Sequence, residues 1–192
     1  MNVRGLRVVI VLLVAGAPLA AQQVGVAASV PLRSPTGTPV RDLTFGTVTP
    51  IGGMPQTVDV AAAVAAVNGT VQSGAFRYDV ATLRGLDFTL TVPSHLTAAG
   101  AEALSVSFAG TQYGGYCVTT GSSTCTLTGF DPSAATIRVC HKTVGSGNCH
   151  PNSIFPPDSE LTIYVGGLLT VPASARAGSY SATLTLAIVQ VY

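Results

Sequence analysis

The residues whose types could do chemistry are four cysteines and three histidines: Cys117, Cys125, Cys140, Cys149, His95, His141 and His150. Two of the cysteines are followed directly by a histidine, and thiolates and imidazoles are good zinc ligands. The spacing nevertheless contains no tight C-x-x-C pair. An even number of cysteines favours disulfides in a chain that enters an oxidising compartment, and residues 1–20 have the layout of an export signal. We therefore predict two disulfides and no metal site.

The cysteine spacing favours Cys117–Cys125 together with Cys140–Cys149, because each bond closes a short loop rich in Gly, Ser and Thr. A loop of this size contributes about 2.5 kcal/mol in the chain-entropy treatment of disulfides. The nested pairing, Cys117–Cys149 with Cys125–Cys140, stays open, since a hairpin would bring those cysteines together.

Other catalytic patterns do not occur in the sequence. It contains no G-x-S-x-G, H-E-x-x-H, Walker or G-x-G-x-x-G motif, and its eight acidic residues are scattered. Asp131, Asp158 and Glu160 lie near predicted loops, where calcium binding is conceivable, but solvated turn residues are the favoured interpretation. We predict no catalytic residue, no cofactor and no enzyme activity.

Three aromatic residues in the same region, Tyr113, Tyr116 and Phe130, raise a second binding hypothesis. Aromatic rings could line a sugar-binding surface, and they could equally fill the core of a β-protein. The core is the favoured interpretation.

The first twenty residues have the layout of a signal peptide. Arg4 and Arg7 precede an apolar run at 8–17, and small residues at 18–21 follow it. We predict a signal peptide at 1–20, cleaved after Ala20 or Ala21, because the run is shorter than the roughly 20 apolar residues of a membrane span. The mature chain is then expected in the periplasm, at the cell surface or in the medium, with no integral membrane segment.

The charge balance excludes several classes of partner. The full sequence has nine basic and eight acidic residues, and loss of Arg4 and Arg7 makes the mature chain slightly anionic. A basic stripe for nucleic acid and a polybasic membrane patch are both absent from the sequence. Charged residues make up only 9 % of the chain, against roughly 25 % in ordinary domains.

The elements that carry these residues are predicted to be short β-strands. Apolar residues alternate with Ser and Thr around Phe88 and Leu90 and again around Val106, and Gly and Pro punctuate the runs. This pattern predicts one antiparallel β-sandwich. Gly166-Gly167 interrupts one strand and predicts a bulge or a close backbone contact there.

Two alternating segments open and close the mature chain. The first places five apolar residues on one face: Val24, Val26, Ala28, Val30 and Leu32. Residues 34–39 follow it as a flexible connector. The second alternates from Tyr180 to Ile188, and from Ala187 its other face also becomes apolar through Val189 and Val191. That end is expected to be buried on both sides or to lie at an interface.

Three blocks of sequence resemble a known family. Sequence blocks of the bacterial domain-of-unknown-function family numbered 4402 are similar to residues 42–50 (DLTFGTVTP), 161–172 (LTIYVGGLLTVP) and 177–186 (AGSYSATLTL). The resemblance implies an exported, Ig-like protein similar in layout to spore coat protein U and to fimbrial subunits, with no assigned activity. The chain then divides into an N-terminal strand and linker at 21–41 and a sandwich at 42–192. Residues 111–158, which carry the cysteines, are interpreted as an insertion.

The likeness to fimbrial subunits implies two candidate interaction segments. Such subunits are completed by a neighbour's N-terminal strand, which makes Val24, Val26, Ala28, Val30 and Leu32 candidates for strand exchange. A chaperone reads their C-terminal strand, which here corresponds to Gly178, Tyr180, Leu184, Leu186 and Tyr192. Tyr192 is terminal rather than next to last, which departs from that pattern. Pairing of the N-terminal strand within its own sheet is the favoured alternative.

From these features we expect a non-enzymatic structural or adhesive protein of a bacterial surface, of which a pilus-like subunit is one form. Its expected partners are further copies or a related subunit, joined by β-strand addition, and a periplasmic chaperone. The alternative is a secreted ligand- or carbohydrate-binding module with the cysteine-bearing region as its recognition surface. A hydrolase ranks third.

Overall fold

The computed structural model describes residues 25–34, 36–50, 53–62, 71–145 and 147–192. The predicted signal peptide and Val24 lie outside these ranges. None of the described residues lies in a helix, and they accordingly contain no helical segment with the length and hydrophobicity to cross a membrane. Their strands are, in order, β1 (Val26–Val30), β2 (Leu32–Arg33), β3 (Thr38–Arg41), β4 (Leu43–Val48), β5 (Gln56–Val60), β6 (Val71–Gln72), β7 (Gly74–Asp79), β8 (Gly85–Thr91), β9 (His95–Leu96), β10 (Leu104–Ser107), β11 (Gly114–Thr120), β12 (Thr128–Phe130), β13 (Ile137–Cys140), β14 (Thr143–Val144), β15 (Asn148–Cys149), β16 (Ser159–Val165), β17 (Gly167–Val171), β18 (Gly178–Ser181) and β19 (Leu184–Val191).

These strands form four larger sheets and one small hairpin. The sheet orders are β18-β1-β4-β6, β5-β17-β10-β9, β12-β11-β16-β7-β3 and β13-β8-β19-β2, and β14 pairs with β15. The pairs are antiparallel except β1 with β18 and β2 with β19, which are parallel. The predicted all-β, antiparallel Ig-like β-sandwich is confirmed.

The alternation of residue types decides which face of each strand is buried. In β10, Leu104 and Val106 are buried and Ser105 and Ser107 are exposed, because successive side chains of a strand point to opposite faces. The buried residues of all four larger sheets join one hydrophobic core. Within it, the rings of Phe88 and Phe130 meet edge to face at 5.4 Å, a favoured aromatic geometry.

Gly166 marks the point where one strand passes from one sheet to another. β16 belongs to the β12-β11-β16-β7-β3 sheet, and β17 belongs to the β5-β17-β10-β9 sheet. A Cβ at Gly166 would collide with the carbonyl oxygen of Val60, and the Gly166 N–H donates to the Tyr113 carbonyl at 2.7 Å. The close backbone contact predicted for the glycine pair is confirmed.

The cysteine-bearing region is built into the sandwich. β11 lies between β12 and β16 and pairs with β16 along its full length, from Gly114 to Thr120. β13 pairs with β8 in a different sheet. The region that the sequence suggests as an insertion at 111–158 therefore supplies an inner strand (β11) and an edge strand (β12) of one sheet and an edge strand (β13) of another.

The connector after the N-terminal strand is shorter than predicted. The Ser34 hydroxyl accepts a hydrogen bond from the Gly37 amide at 2.7 Å, which closes a turn. β3 then begins at Thr38 and pairs with β7. The connector predicted at 34–39 thus ends at Gly37, because Thr38 and Pro39 belong to β3, the edge strand of a sheet.

Candidate interaction site at the terminal strands

The two ends of the described chain lie side by side in one continuous parallel register. Val26 is opposite Gly178 in the first sheet, and Leu32 is opposite Leu184 in the second, with the same offset along the sequence. Between these pairs the Leu184 amide donates to the Pro31 carbonyl at 3.1 Å. The N-terminal strand thus pairs within its own copy, which is the alternative that the sequence favours.

Three of the candidate strand-exchange residues lie in the core. Ala28, Val30 and Leu32 are at most 4 % exposed. β1 is hydrogen-bonded on both sides, to β18 and to β4. Pro31 lies between β1 and β2, where its carbonyl accepts a bond and no ladder amide is required. Removing this strand would uncover apolar side chains and leave two strand edges unpaired.

Three candidate residues of the C-terminal strand are also inside the sandwich. Tyr180, Leu184 and Leu186 are buried, and Gly178 begins β18. The Tyr180 hydroxyl donates to the Arg176 carbonyl at 2.8 Å. A buried tyrosine bonded to the backbone just upstream resembles the tyrosine corner of immunoglobulin-like domains. It fixes the direction in which the chain enters β18.

The last part of β19 differs from the first. Val189 and Val191 are 55 % and 47 % exposed, so burial on both sides, one of the two expectations for this end, is wrong. A register shift between Ile188 and Gln190 separates this part from the buried part of the strand. The exposed part depends on other contacts to stay in the sheet.

Tyr192 supplies those contacts. Its amide donates to the Gly85 carbonyl and its carbonyl accepts from the Arg84 amide, both at 2.9 Å. Its hydroxyl donates to Asp87 Oδ2 at 2.8 Å and accepts from Arg138 Nη2 at 2.7 Å. The Arg138 guanidinium also lies 5.1 Å from the centre of the Tyr192 ring, within the range of a cation–π contact. We call Asp87, Arg138 and Tyr192 the terminal clamp.

Asp87 and Arg138 form a two-pronged ion pair at the centre of the clamp. Arg138 Nε and Nη2 each lie 2.8 Å from a carboxylate oxygen of Asp87. Asp87 is only 5 % exposed. The hydrogen bonds from Arg138, and secondarily the one from Tyr192, lower the pKa of Asp87 below its ordinary value of 3.8. Partial burial and the neighbouring Asp87 raise the pKa of Tyr192, so its hydroxyl stays protonated and donates.

The sequence analysis did not identify this ion pair, although a signal for it exists. Asp87 is the one charged residue of β8 and Arg138 is the one charged residue of β13. The two lie directly opposite each other in the strand register. A lone charge of opposite sign in each of two apolar strands predicts a cross-strand pair, once the strands are known to be neighbours.

Both disulfides have the favoured pairing. Cys117 is bonded to Cys125, and Cys140 is bonded to Cys149. The nested pairing is therefore wrong. The first bond joins β11 to the loop that follows it, and the second spans from the end of β13 to β15.

Each histidine makes a local hydrogen-bond contact of its own. His95 Nδ1 is 2.9 Å from the Ser94 hydroxyl, and His141 Nδ1 is 2.7 Å from the Ser153 hydroxyl. His150 Nδ1 accepts from a backbone amide two residues on. Within the described ranges no three residues of metal-ligating type are grouped as a metal site would require.

The acidic candidates Asp131 and Glu160 make surface contacts, and the aromatic candidates lie in or against the core. Asp131 accepts two bonds from Ser133 in an exposed turn, and Glu160 pairs with Arg77 at 3.2 Å on the surface. Among the aromatics, Tyr113 and Phe130 are buried, and Tyr116 is half-buried and packs toward Phe130, with ring centres 6.3 Å apart. Tyr113 and Phe130 contribute to the core and Tyr116 packs against it, as in the core interpretation that the sequence favours.

Comparison with protein-family models identifies the family of this chain. The family model described as "Domain of unknown function (DUF4402)" matches residues 35–189. The chain belongs to the DUF4402 family. The match contains all three blocks that carry the resemblance, and it also contains the cysteine-bearing region, in keeping with the place of β11 inside the sheet. The comparison with curated proteins found no match.

Proposed function

We propose that this DUF4402 protein is an exported, non-enzymatic structural or adhesive protein of a bacterial surface, whose copies assemble by exchanging the N-terminal strand. One observation carries the proposal: β1 and β2 lie in a single unbroken register along β18 and β19. Only a short connection between Arg33, the end of β2, and Thr38, the start of β3, joins this strand to the remaining sandwich.

Strand exchange would preserve the contacts of the single copy. If β1 and β2 of one copy entered the next, Val26 would again face Gly178 and Leu32 would again face Leu184. The apolar burial and the ladder hydrogen bonds would be the same in both arrangements. Only the hinge conformation and the entropy of association would differ, which is why domain swapping is a low-cost route to assembly.

One further feature supports export. Disulfides persist in oxidising compartments, and the chain has two of them. The proposal also includes a periplasmic chaperone that reads the C-terminal strand. Since β19 is paired with β8 as far as Val191, such reading belongs to a stage before this strand has paired.

A cross-linking experiment tests the exchange directly. Ala27 lies opposite Ser179 in the β1–β18 register. Two single variants, Ala27→Cys and Ser179→Cys, are purified separately, mixed, refolded together and oxidised. Exchange predicts a covalent heterodimer whose disulfide joins residues 27 and 179 by peptide mass mapping, because those residues then come from different copies.

A second mixture controls for random thiol pairing. Ala27→Cys is mixed with Ser105→Cys, an exposed position of β10 in another sheet. Equal heterodimer yields in the two mixtures, together with a monomer in light scattering at all concentrations, would exclude strand exchange. Strand exchange would also be excluded if the double variant Ala27→Cys/Ser179→Cys formed its new disulfide only within a single chain.

A further inference from the structure

Gly85 is the point where the Cys140–Cys149 disulfide meets the end of the C-terminal strand. Cys140 lies opposite Gly85 in the β13–β8 register, and the Tyr192 amide donates to the Gly85 carbonyl at 2.9 Å. A Cβ at Gly85 would collide with the Cys149 sulfur and with the Val139 carbonyl oxygen. The disulfide therefore packs directly on the residue that holds the backbone of Tyr192.

A second connection runs through the hairpin that the disulfide closes. Asn148 lies in β15, beside Cys149, and its side-chain oxygen accepts from Arg138 Nη1 at 2.9 Å. The other nitrogens of Arg138 bond to Asp87 and to the Tyr192 hydroxyl. Arg138 is thus held on one side by the hairpin and on the other side by the terminal clamp.

The segment that depends on these contacts is short and weakly packed. β19 lies between β2 and β8, and its residues Leu184 and Leu186 are buried. Val189 and Val191, beyond the register shift, are exposed. A segment with little apolar burial opens at low free-energy cost unless specific contacts hold it. Here these contacts are the ladder to residues 85–87 and the terminal clamp.

We infer that the Cys140–Cys149 disulfide is a redox-controlled latch for residues 189–192. Reduction breaks the bond between the two sulfurs: an external dithiol gives up two electrons and two protons, becomes a disulfide, and leaves thiols on Cys140 and Cys149. The base of the β14–β15 hairpin is then no longer cross-linked, and the hydrogen bond between Asn148 and Arg138 breaks. Residues 189–192 separate from β8 as a result. Oxidation reverses each change. This inference concerns one copy, and its test does not depend on strand exchange.

The other disulfide provides a matched control. Cys117–Cys125 closes a loop of sequence separation 8, against 9 for Cys140–Cys149, so the two contribute similarly to the entropy of the unfolded chain. It lies on β11, in a sheet that contains neither β8 nor β19. A general loss of stability would therefore follow from removing either bond, but opening of the chain end only from removing one.

Hydrogen exchange read by mass spectrometry tests the latch. In Cys140→Ser/Cys149→Ser, a peptide covering 187–192 is expected to exchange at least tenfold faster than in the parent protein, while peptides from β1 and β16 change only as much as they do in Cys117→Ser/Cys125→Ser. In Cys117→Ser/Cys125→Ser, the 187–192 peptide keeps its rate. Unchanged exchange at 187–192 in the first variant, or equal acceleration in both, overturns the latch.

A milder variant keeps the test decisive if the first one does not fold. Asn148→Ala removes the contact from the hairpin to Arg138 and leaves both disulfides intact. We expect exchange at 187–192 to rise several-fold, and Asn152→Ala, in the next exposed turn, to leave it unchanged. If Asn148→Ala has the parent rate, or if its faster exchange extends over the whole chain, the latch is overturned.

Discussion

At the scale of single residues, the terminal clamp concentrates electrostatic stabilisation in a protein that has little charge elsewhere. Asp87 is almost fully buried and makes three charge-assisted hydrogen bonds, two from Arg138 and one from Tyr192. The other ion pair of the described ranges, Arg77 with Glu160, has both side chains largely exposed. Exposed pairs contribute little to stability. We therefore expect a single charge change to lower the free energy of unfolding most at the terminal clamp.

We predict that Asp87→Asn lowers the free energy of unfolding by about 2 kcal/mol, because hydrogen bonds to a buried charged group are lost and Arg138 loses its counter-ion. Urea unfolding with the disulfides intact measures this change. Glu102→Gln, at an exposed position, is the control and should have almost no effect. Similar losses in the two variants would contradict the assigned role of Asp87.

The lowered pKa of Asp87 also predicts a dependence on pH. The folded state binds this proton less tightly than the unfolded state, whose carboxyl has an ordinary pKa near 3.8. The contribution of Asp87 is therefore complete well above that pH and is lost as the pH falls below 3.8 toward the folded-state pKa.

The measurement is the difference in unfolding free energy between the parent protein and Asp87→Asn. It should be constant from pH 7 to pH 5 and should shrink by pH 3. Groups that titrate in both proteins cancel in this difference, including Asp131, whose pKa the Ser133 hydroxyl lowers. A difference that grows in acid would show the opposite sign of linkage.

At the scale of elements, the strands that pass between sheets determine the architecture. β16 continues into β17 through Gly166, and β1 and β18 continue into β2 and β19 in another sheet. At Gly166 the backbone of residues 60 and 61 approaches so closely that no side chain fits. The requirement for glycine therefore comes from a long-range backbone contact and not from a turn.

We predict that Gly166→Ala destabilises the protein by about 1–3 kcal/mol, since the added methyl group meets backbone that must move as a unit. Gly178→Ala is the matched control in another strand. There the new Cβ would lie 3.6 Å from the Ala98 side chain, an ordinary contact, and the change should stay within about 0.5 kcal/mol. Urea unfolding compares the two, and equal effects would contradict the close approach at Gly166.

At the scale of the whole molecule, the shared strands and the single core bind the sheets into one folding unit. Each larger sheet contributes residues to the same hydrophobic cluster. Within the described chain, separating one larger sheet from the others would break a strand that continues into another sheet or would expose the hydrophobic cluster to water. Cooperative unfolding follows from this connectivity.

We predict a single unfolding transition in urea, with a slope of ~2 kcal/mol/M. The chain has six tyrosines and no tryptophan, so tyrosine fluorescence reports side-chain packing and far-ultraviolet circular dichroism reports the strands. The two curves should coincide. Separate midpoints would show that one part of the sandwich unfolds by itself.

Much of the local structure follows from the sequence alone. Alternation in β1, β2 and β19 predicts the buried face that contains Val30, Leu32, Leu184 and Leu186, because side chains of a strand alternate between two faces whatever the neighbouring strand is. The disulfide pairing is also local, since each bond closes a short loop. The glycine pair at 166–167 likewise predicts a close approach without identifying its partner.

Only the tertiary structure determines which strands are neighbours. The same alternation in Val26–Val30 fits pairing within one copy or with another, and the parallel register with β18 became visible only in the fold. Asp87, Arg138 and Tyr192 are far apart in sequence and meet because β13 and β19 flank β8. The exposure of Val189 and Val191 depends on the same arrangement. The residue pattern of a strand indicates its local geometry. The neighbouring strand is determined by burial and loop closure over the entire chain.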